Sequence, residues 1–237
     1  MTNNENPIAV FADNISITYE SRVGMFKKFS HKALVNVSFK VQRGETFGIM
    51  GKNGSGKSSL LRILAGVYQA DSGSLAMNQI NTRTLLSLGL GFDVNLSGRD
   101  NAILSMMLQG FSRKEALAYL PEVEAFSELE GFFQQPVRTY SSGMRSRLGF
   151  SVGITTKTDL LLIDETLAVG DDSFRIKAET AMLNKILSNQ TVIFVSHSAP
   201  QIAKLCTRAI WLKDGLVAKE GEAKQVASDY VNNKIYN

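Results

Sequence analysis

Cysteine and long apolar runs are scarce in this sequence. Among its 237 residues there is one cysteine, Cys206, so no internal disulfide can form, and a reducing compartment is the simplest expectation. No apolar stretch approaches the roughly 18 residues that a membrane span requires. The first residues also lack the basic and apolar regions of a signal peptide. We therefore expect the chain to reach a membrane only through a partner.

Clusters of basic residues are missing as well. The formal net charge of +4 suits an anionic ligand or an anionic membrane surface. There is, however, no run of lysine and arginine and no alternation of basic with aromatic residues, so we expect no nucleic-acid partner. The length suffices for one large domain around a sizeable core.

A glycine-rich loop, GKNGSGKS, lies between an apolar run at 46–50 and a helical pattern at 57–65. Its glycines let backbone N–H groups converge on phosphate oxygens, and the helix N-terminus faces them. The lysine supplies charge to the terminal phosphates, and the serine after it offers a hydroxyl to Mg²⁺. A glycine-rich turn without a ligand is the alternative. The candidate nucleotide-binding residues are Gly51, Asn53, Gly54, Ser55, Gly56, Lys57, Ser58 and Ser59, with Ser58 also a candidate for the metal.

Two acids close a second apolar run, at 160–163. Open α/β sheets bind ligands at the carboxyl ends of their strands. Asp164 is therefore a candidate to hold Mg²⁺ through water, and Glu165 a candidate general base for an attacking water. Any parallel strand can end in an acid, so this assignment depends on the phosphate loop upstream.

Apolar patterns predict an α/β core that a helical segment interrupts. The runs at 160–163 and 192–195 are continuous, as in parallel strands covered on both faces, and a helix at about 174–187 joins them. From 100 to about 154 the periodicity is helical, with a capping-box pattern at Ser112 and Glu115. We also expect strands at 8–18 and 34–41, a hairpin at 210–219 and a last helix at 223–232.

The chain resembles the nucleotide-binding subunits of ABC transporters in the order and spacing of its motifs. These motifs are the phosphate loop, YSSGM at 140–144, LLLIDE at 160–165, Asp171 and the FVSH that ends at His197. This resemblance implies an α/β P-loop NTPase, with a RecA-like core and an antiparallel β subdomain, interrupted by an α-helical subdomain. It also implies ATP and Mg²⁺ as cofactors. We expect one nucleotide-binding domain over 1–237. Its helical subdomain would lie at about 95–155 and its C-terminal hairpin and helix at about 208–233.

The resemblance implies further roles in the site. Ser141, Ser142 and Gly143 would cap the γ-phosphate that a second subunit holds, and an ordinary helix N-cap is the alternative. His197 would contact the γ-phosphate and position water, rather than serve as a core or capping histidine. Asp171 would cross the dimer interface, or cap a helix.

For Tyr19, the resemblance implies stacking on adenine, whereas a strand-edge aromatic is the alternative. Three residues depart from the usual Leu-Ser-Gly-Gly-Gln signature: Tyr140, Ser142 and Met144. The usual Q-loop glutamine is not identifiable within 86–93.

These departures, together with DETLAVGD and LGLGF…LSGRDN, resemble the exporters of bacterial surface polysaccharides. The implied function is ATP hydrolysis that drives lipid-linked O-antigen across the inner membrane. Capsule or teichoic acid export is the alternative. Two further alternatives are a soluble ABC ATPase acting on DNA or ribosomes and a nucleotide-binding regulator without turnover.

The implied partners are a second copy of the chain, a separate transmembrane permease that is itself a dimer, and the lipid-linked polysaccharide. The implied location is the cytoplasmic face of the inner membrane, reached through the permease. Many O-antigen relatives carry a further carbohydrate-binding domain, which we do not expect here. The basic and aromatic segment 22–32 is interpreted either as a solvated loop or as a segment near the membrane surface that contacts lipid-linked glycan or the permease.

Overall fold

The computed structural model describes residues 6–23, 27–86, 91–164 and 171–235. These residues form two compact units. Unit 1 comprises Met1–Ile80 and Asn189–Asn237, and unit 2 comprises Asn81–Ser188. Glu165 and residues 87–90 of the segment searched for a Q-loop glutamine lie outside the described residues.

The first sheet of unit 1 is antiparallel. Strand β1 (Ile8–Val23) pairs with β2 (Lys27–Gln42) on one side and with β4 (Ser72–Met77) on the other. The apolar side chains of β1 and β2 that face inward are buried: Val10, Ala12, Ile15, Ile17, Leu34, Val37, Phe39 and Val41.

Both long strands extend beyond their predicted ends. The backbone stays paired where the sequence showed no period, with Glu20 opposite Ser30 and Arg22 opposite Lys28. The solvated-loop interpretation of 22–32 is therefore wrong for the described residues. At 19–22 and 29–32 every side chain is exposed, so no alternation of apolar and polar residues marks the strand. Phe29 is 57% exposed, and Phe26 lies outside the described residues.

The second group of strands in unit 1 is centred on β3 (Thr46–Met50). Strand β3 pairs in parallel with β7 (Thr191–Ser196) on one side and with β8 (Arg208–Lys213) on the other. Strand β8 forms a hairpin with β9 (Leu216–Glu222). Every residue of β3 and β7 is buried, as their continuous apolar runs predict. The helices of this unit are α1 (Lys57–Leu64), α6 (Ala199–Leu205) and α7 (Ala223–Ile235).

Unit 2 contains two parallel strands, β5 (Arg83–Leu86) and β6 (Leu160–Asp164). Its helices are α2 (Gly98–Leu108), α3 (Arg113–Ser127), α4 (Ser142–Thr155) and α5 (Asp172–Ile186). Short 3-10 turns at Glu130–Gln134 and Val137–Thr139 separate α3 from α4. The residues buried among α2, α3 and α4 include Ala102, Met106, Ala116, Val123, Phe133 and Leu148.

The predicted capping box at the start of α3 is confirmed. The Ser112 N–H donates to the Glu115 carboxylate at 2.7 Å, and the Glu115 N–H donates to the Ser112 hydroxyl at 3.3 Å. The Ser112 hydroxyl, which donates to the Glu115 carboxylate at 2.6 Å, lowers the pKa of Glu115, and the Ser112 N–H adds to this effect. Across the described part of the chain, no helix has both the length and the apolar character needed to cross a bilayer.

Candidate functional site

The phosphate loop connects β3 directly to α1. Gly56 is the N-cap of α1, so no capping side chain occupies the first N–H groups of the helix. The Lys57 ammonium donates to the carbonyl oxygens of Gly51 and Lys52, each at 2.8 Å, and so folds back over the loop. A helix N-terminus and an ammonium both offer hydrogen-bond donors, so the loop fits an anionic group.

Close packing holds the loop in this shape. A Cβ on Gly51 would lie 2.4 Å from the Leu212 carbonyl oxygen at the end of β8. Gly56 has φ +101°, and a Cβ there would lie 2.3 Å from the carbonyl oxygen of Ala33 on β2. Both positions therefore exclude any side chain, which explains two of the glycines in the pattern.

His197 lies at the same edge as the phosphate loop. The register of the parallel pair sets Met50 of β3 opposite Ser196 of β7, so Gly51 and His197 follow paired residues. A turn holds this corner, because the Ser198 N–H donates to the Ser196 hydroxyl at 2.9 Å. His197 is exposed, which rules out the alternative of a core histidine.

Tyr19 lies beside the start of α1. Its hydroxyl donates to the Ser59 hydroxyl at 3.1 Å, and its ring meets Tyr68 edge to face with centroids 6.2 Å apart. The residue is 36% exposed, so part of it remains accessible near the start of α1. A planar base could stack there.

In unit 2, the segment 141–143 begins helix α4. Ser141 is its N-cap and accepts a hydrogen bond from the Met144 N–H at 3.1 Å, as the N-cap alternative predicts. Ser141 and Ser142 are exposed. An N-cap role does not remove the helix N-terminus as a place for an anion, because the hydroxyl can still donate.

The departures from the usual signature have structural explanations in unit 2. Tyr140 is 5% exposed, and its hydroxyl donates to the Phe132 carbonyl at 2.6 Å. Burial raises the pKa of Tyr140, so the group stays a neutral donor. Met144 packs against the buried residues of α2, α3 and α4. Tyrosine and methionine thus anchor the start of α4.

Two acidic candidates of unit 2, Asp164 and Asp171, lie at the ends of secondary-structure elements. Asp164 is the last residue of β6 and is partly buried. Asp171 caps α5, where one carboxylate oxygen accepts from the Phe174 N–H at 3.0 Å and from the Ser173 hydroxyl at 2.7 Å. The Phe174 N–H, followed by the Ser173 hydroxyl, lowers the pKa of Asp171, which is therefore ionised at neutral pH.

Arg147 is a residue that the sequence reasoning missed. It lies on α4, and its guanidinium is 3.1 Å from Asp171 and 3.6 Å from Glu128 and sits over the Phe174 ring at 4.8 Å. Lys177 completes the group, with its ammonium 2.7 Å from Glu128. The helix that begins at Ser141 is thereby tied to the cap of α5. The sequence offered one sign of this role, namely an arginine six positions after Ser141 on the same predicted helix.

Replacing Arg147 by methionine is expected to lower the free energy of unfolding by about 1–2 kcal/mol. The side chain is 17% exposed, and its loss leaves Asp171 and Glu128 facing each other without the guanidinium. Urea unfolding measures the change. Arg145→Met, at an exposed position of the same helix, is the matched control and should change stability by less than about 0.5 kcal/mol. Equal losses in both variants would contradict a role for the cluster.

A protein-family model described as ABC transporter matches residues 34–168, which is more than half of the chain. The chain belongs to the ABC transporter family. The described residues of this ABC transporter chain contain no group of three or more His, Cys, Asp or Glu arranged to hold a metal.

Several relatives within the ABC transporter family are described as export proteins. The O-antigen export system ATP-binding protein RfbE of Yersinia enterocolitica is 43% identical over 188 residues, which cover 79% of this chain and 78% of that protein. The corresponding RfbB of Myxococcus xanthus is 41% identical over 200 residues, covering 84% of this chain and 45% of the relative. The teichoic acids export ATP-binding protein TagH of Enterococcus faecalis is 41% identical over 211 residues, which cover 87% of this chain and 47% of that protein. The chain thus spans about half the length of the last two relatives.

Solved ABC transporter structures share the fold. A dimeric ATP-binding cassette in a post-hydrolysis state with ADP and Pi has a TM-score of 0.70 at 22% identity, covering 90% of this chain and 98% of that one. An ATP-binding subunit of an ABC transporter has a TM-score of 0.72 at 19% identity, covering 96% and 98%. The predicted fold class, an α/β P-loop NTPase, is confirmed.

Proposed function

We propose that the chain is the ATP-hydrolysing subunit of an ABC exporter that drives lipid-linked O-antigen polysaccharide across the inner membrane. The observation that supports ATP hydrolysis best is the register of β3 and β7. Because Met50 lies opposite Ser196, the phosphate loop and His197 begin at the same edge of the sheet. The O-antigen substrate is supported by the Yersinia relative, of which this chain covers 78%. Teichoic acid export is the second candidate, because TagH proteins match at up to 41% identity.

Each candidate residue of unit 1 has a proposed task. The backbone of 51–56 and the Lys57 ammonium bind the phosphates of ATP, with Ser58 and Ser59 at the start of α1. Tyr19 packs on the adenine, and His197 contacts the terminal phosphate and orients water. ATP supplies a phosphoanhydride bond whose hydrolysis releases free energy, and Mg²⁺ neutralises charge on its phosphates.

The residues of unit 2 complete the proposed reaction. Asp164 holds the Mg²⁺ through water, and Glu165 accepts the proton of the attacking water. Two copies of the chain assemble head to tail, so that 141–143 of one copy cap the terminal phosphate bound by the other. Asp171 lies in the loop that meets the partner copy.

The assembly around these subunits is part of the proposal. The chain forms a single nucleotide-binding domain over 1–237, with a helical subdomain at about 95–155 and the hairpin and helix at about 208–233. A separate permease, itself a dimer, crosses the membrane and holds the subunits at its cytoplasmic face. Closure of the two copies on ATP and their opening after hydrolysis move the permease.

Glu165→Gln tests the proposed hydrolysis. We expect the amide to leave ATP binding within about twofold while turnover falls by about a thousandfold, because glutamine cannot accept the proton. ATPase rates and gel filtration with ATP measure this, and the variant should accumulate as a dimer. The matched control is Glu179→Gln, at an exposed position of α5, which should hydrolyse ATP normally. Normal turnover in Glu165→Gln would contradict the assignment of the base.

The exported substrate is tested with the permease present. In vesicles that contain both subunits, lipid-linked O-antigen is expected to raise the ATPase rate more than lipid-linked teichoic acid does. The reverse order would replace O-antigen export by teichoic acid export and leave the ATPase assignment intact.

A further inference from the structure

A pocket of about 210 Å³ lies in unit 1 against the first half of the phosphate loop. Residues 52–55 of the loop form one wall. Trp211 and Leu212 near the end of β8 and Tyr230 of α7 line the pocket as well, and Lys213, Asp214 and Asn233 complete it. The proposed ATP mechanism uses none of the β8 and α7 residues.

The pocket combines an aromatic wall with polar groups. Trp211 and Tyr230 are buried and meet edge to face with centroids 5.6 Å apart. Lys213, Asp214 and Asn233 are exposed. Aromatic surface next to amide, carboxylate and ammonium groups suits a ligand with an apolar face and several hydroxyl groups.

A buried hydroxyl in the wall points to a ligand. Ser55 is 5% exposed, and within the described residues its Oγ has no hydrogen-bond partner. A buried polar group without a partner is destabilising, and such groups in native proteins usually meet a ligand or water. Ser55 lines the pocket, but its Oγ is closed off from solvent, so an occupant with a hydroxyl reaches this atom only when the loop shifts.

Size and charge narrow the class of ligand. A dry cavity of about 150 Å³ accepts benzene, and drug-sized molecules need about 300 Å³ or more. The volume of about 210 Å³ therefore suits one six-membered ring with one attached group. Lys52 and Lys213 outnumber the single carboxylate, Asp214, which favours an anionic substituent.

We propose that this pocket binds a free hexose phosphate and that binding changes the affinity of the phosphate loop for ATP. The occupant touches Lys52 and Ser55, while the Lys57 ammonium holds the carbonyl of Lys52 from within the loop. An occupant that favours one loop conformation shifts ATP affinity, and ATP must shift the affinity of the occupant by the same factor. This regulatory site is separate from the exported substrate and does not depend on it.

Trp211 is the only tryptophan in the sequence, so its fluorescence reports on the pocket directly. The purified chain without nucleotide is titrated with glucose 1-phosphate, glucose and inorganic phosphate. We expect saturable binding of glucose 1-phosphate with a Kd below about 1 mM and at least about tenfold weaker binding of the other two. No signal up to about 10 mM, or equal binding of inorganic phosphate, would overturn the proposal.

Lys213→Ala locates the binding. Loss of one charge-assisted hydrogen bond should weaken glucose 1-phosphate about tenfold or more, with ATP affinity in the absence of sugar unchanged. The matched control is Lys224→Ala, at an exposed position of α7 outside the pocket, which should bind as the parent chain does. Equal affinities in the parent chain and both variants would overturn the site.

The link to ATP is measured in both directions. Saturating glucose 1-phosphate should change the Kd of ATP by about fivefold, and saturating ATP should change the Kd of glucose 1-phosphate by the same factor. Competitive displacement without a plateau would put the sugar phosphate in the phosphate loop itself and overturn the proposal. Failure of these binding tests leaves the Glu165→Gln result untouched, so the two proposals are separable.

Discussion

Replacing Lys57 by alanine is expected to weaken ATP binding by about a hundredfold or more. In the structure the ammonium lies over the loop, 2.8 Å from the carbonyl oxygens of Gly51 and Lys52, so its charge is held where the phosphates would bind. Two charge-assisted hydrogen bonds to phosphate contribute about 3–5 kcal/mol, and about 2.7 kcal/mol already corresponds to a hundredfold. Equilibrium binding of ATP, followed by calorimetry, measures the loss.

Two further variants make the Lys57 prediction specific. Lys57→Arg should not restore full affinity, because a planar guanidinium replaces a compact point charge in a tight loop. Lys204→Ala removes an exposed charge near the end of α6 and is the matched control, with ATP affinity within about twofold of the parent. ATP affinity that is unchanged in Lys57→Ala would contradict the phosphate-loop assignment.

Gly56→Ala is expected to lower the free energy of unfolding by about 3 kcal/mol or more. The residue has φ +101°, where a side chain is strained, and its Cβ would lie 2.3 Å from the Ala33 carbonyl and 2.7 Å from Leu34 Cδ2. The methyl group can fit only if β2 or the loop moves. Urea unfolding gives the stability, and ATP binding should also be lost because the loop changes shape.

Gly54→Ala is the matched control for Gly56→Ala. It also has a positive φ, +82°, but no atom lies within 4 Å of the added Cβ. Only backbone strain applies there, so the expected loss is about 1 kcal/mol. The difference between the two variants isolates the contact with β2. If both variants lose the same stability, close packing of the loop against β2 is not what requires glycine at 56.

Local patterns in the sequence predicted the elements that bear on the site. The buried strands, the loop between β3 and α1, and the capping box of α3 follow from apolar runs, glycine placement and a Ser–Glu spacing. The strand pairing within 22–32 could not be predicted, because the side chains at 22 and at 29–32 are all exposed and no alternation of apolar and polar residues marks the strands. The role of Tyr140 also escaped prediction, since its partner is a backbone carbonyl eight residues away in a 3-10 turn.

The amino-acid order was enough to predict the family and the fold class, which are confirmed, and to propose the phosphate loop, because glycine spacing, apolar runs and caps act between residues close in sequence. Which residues lie beside that loop could be seen only in the folded chain. Register between β3 and β7 brings His197 to the edge that follows Met50, and Tyr19 reaches Ser59 from 40 residues away. The Arg147–Asp171 contact and the pocket beside Ser55 likewise join distant segments. Such contacts depend on packing between elements, which no local pattern encodes.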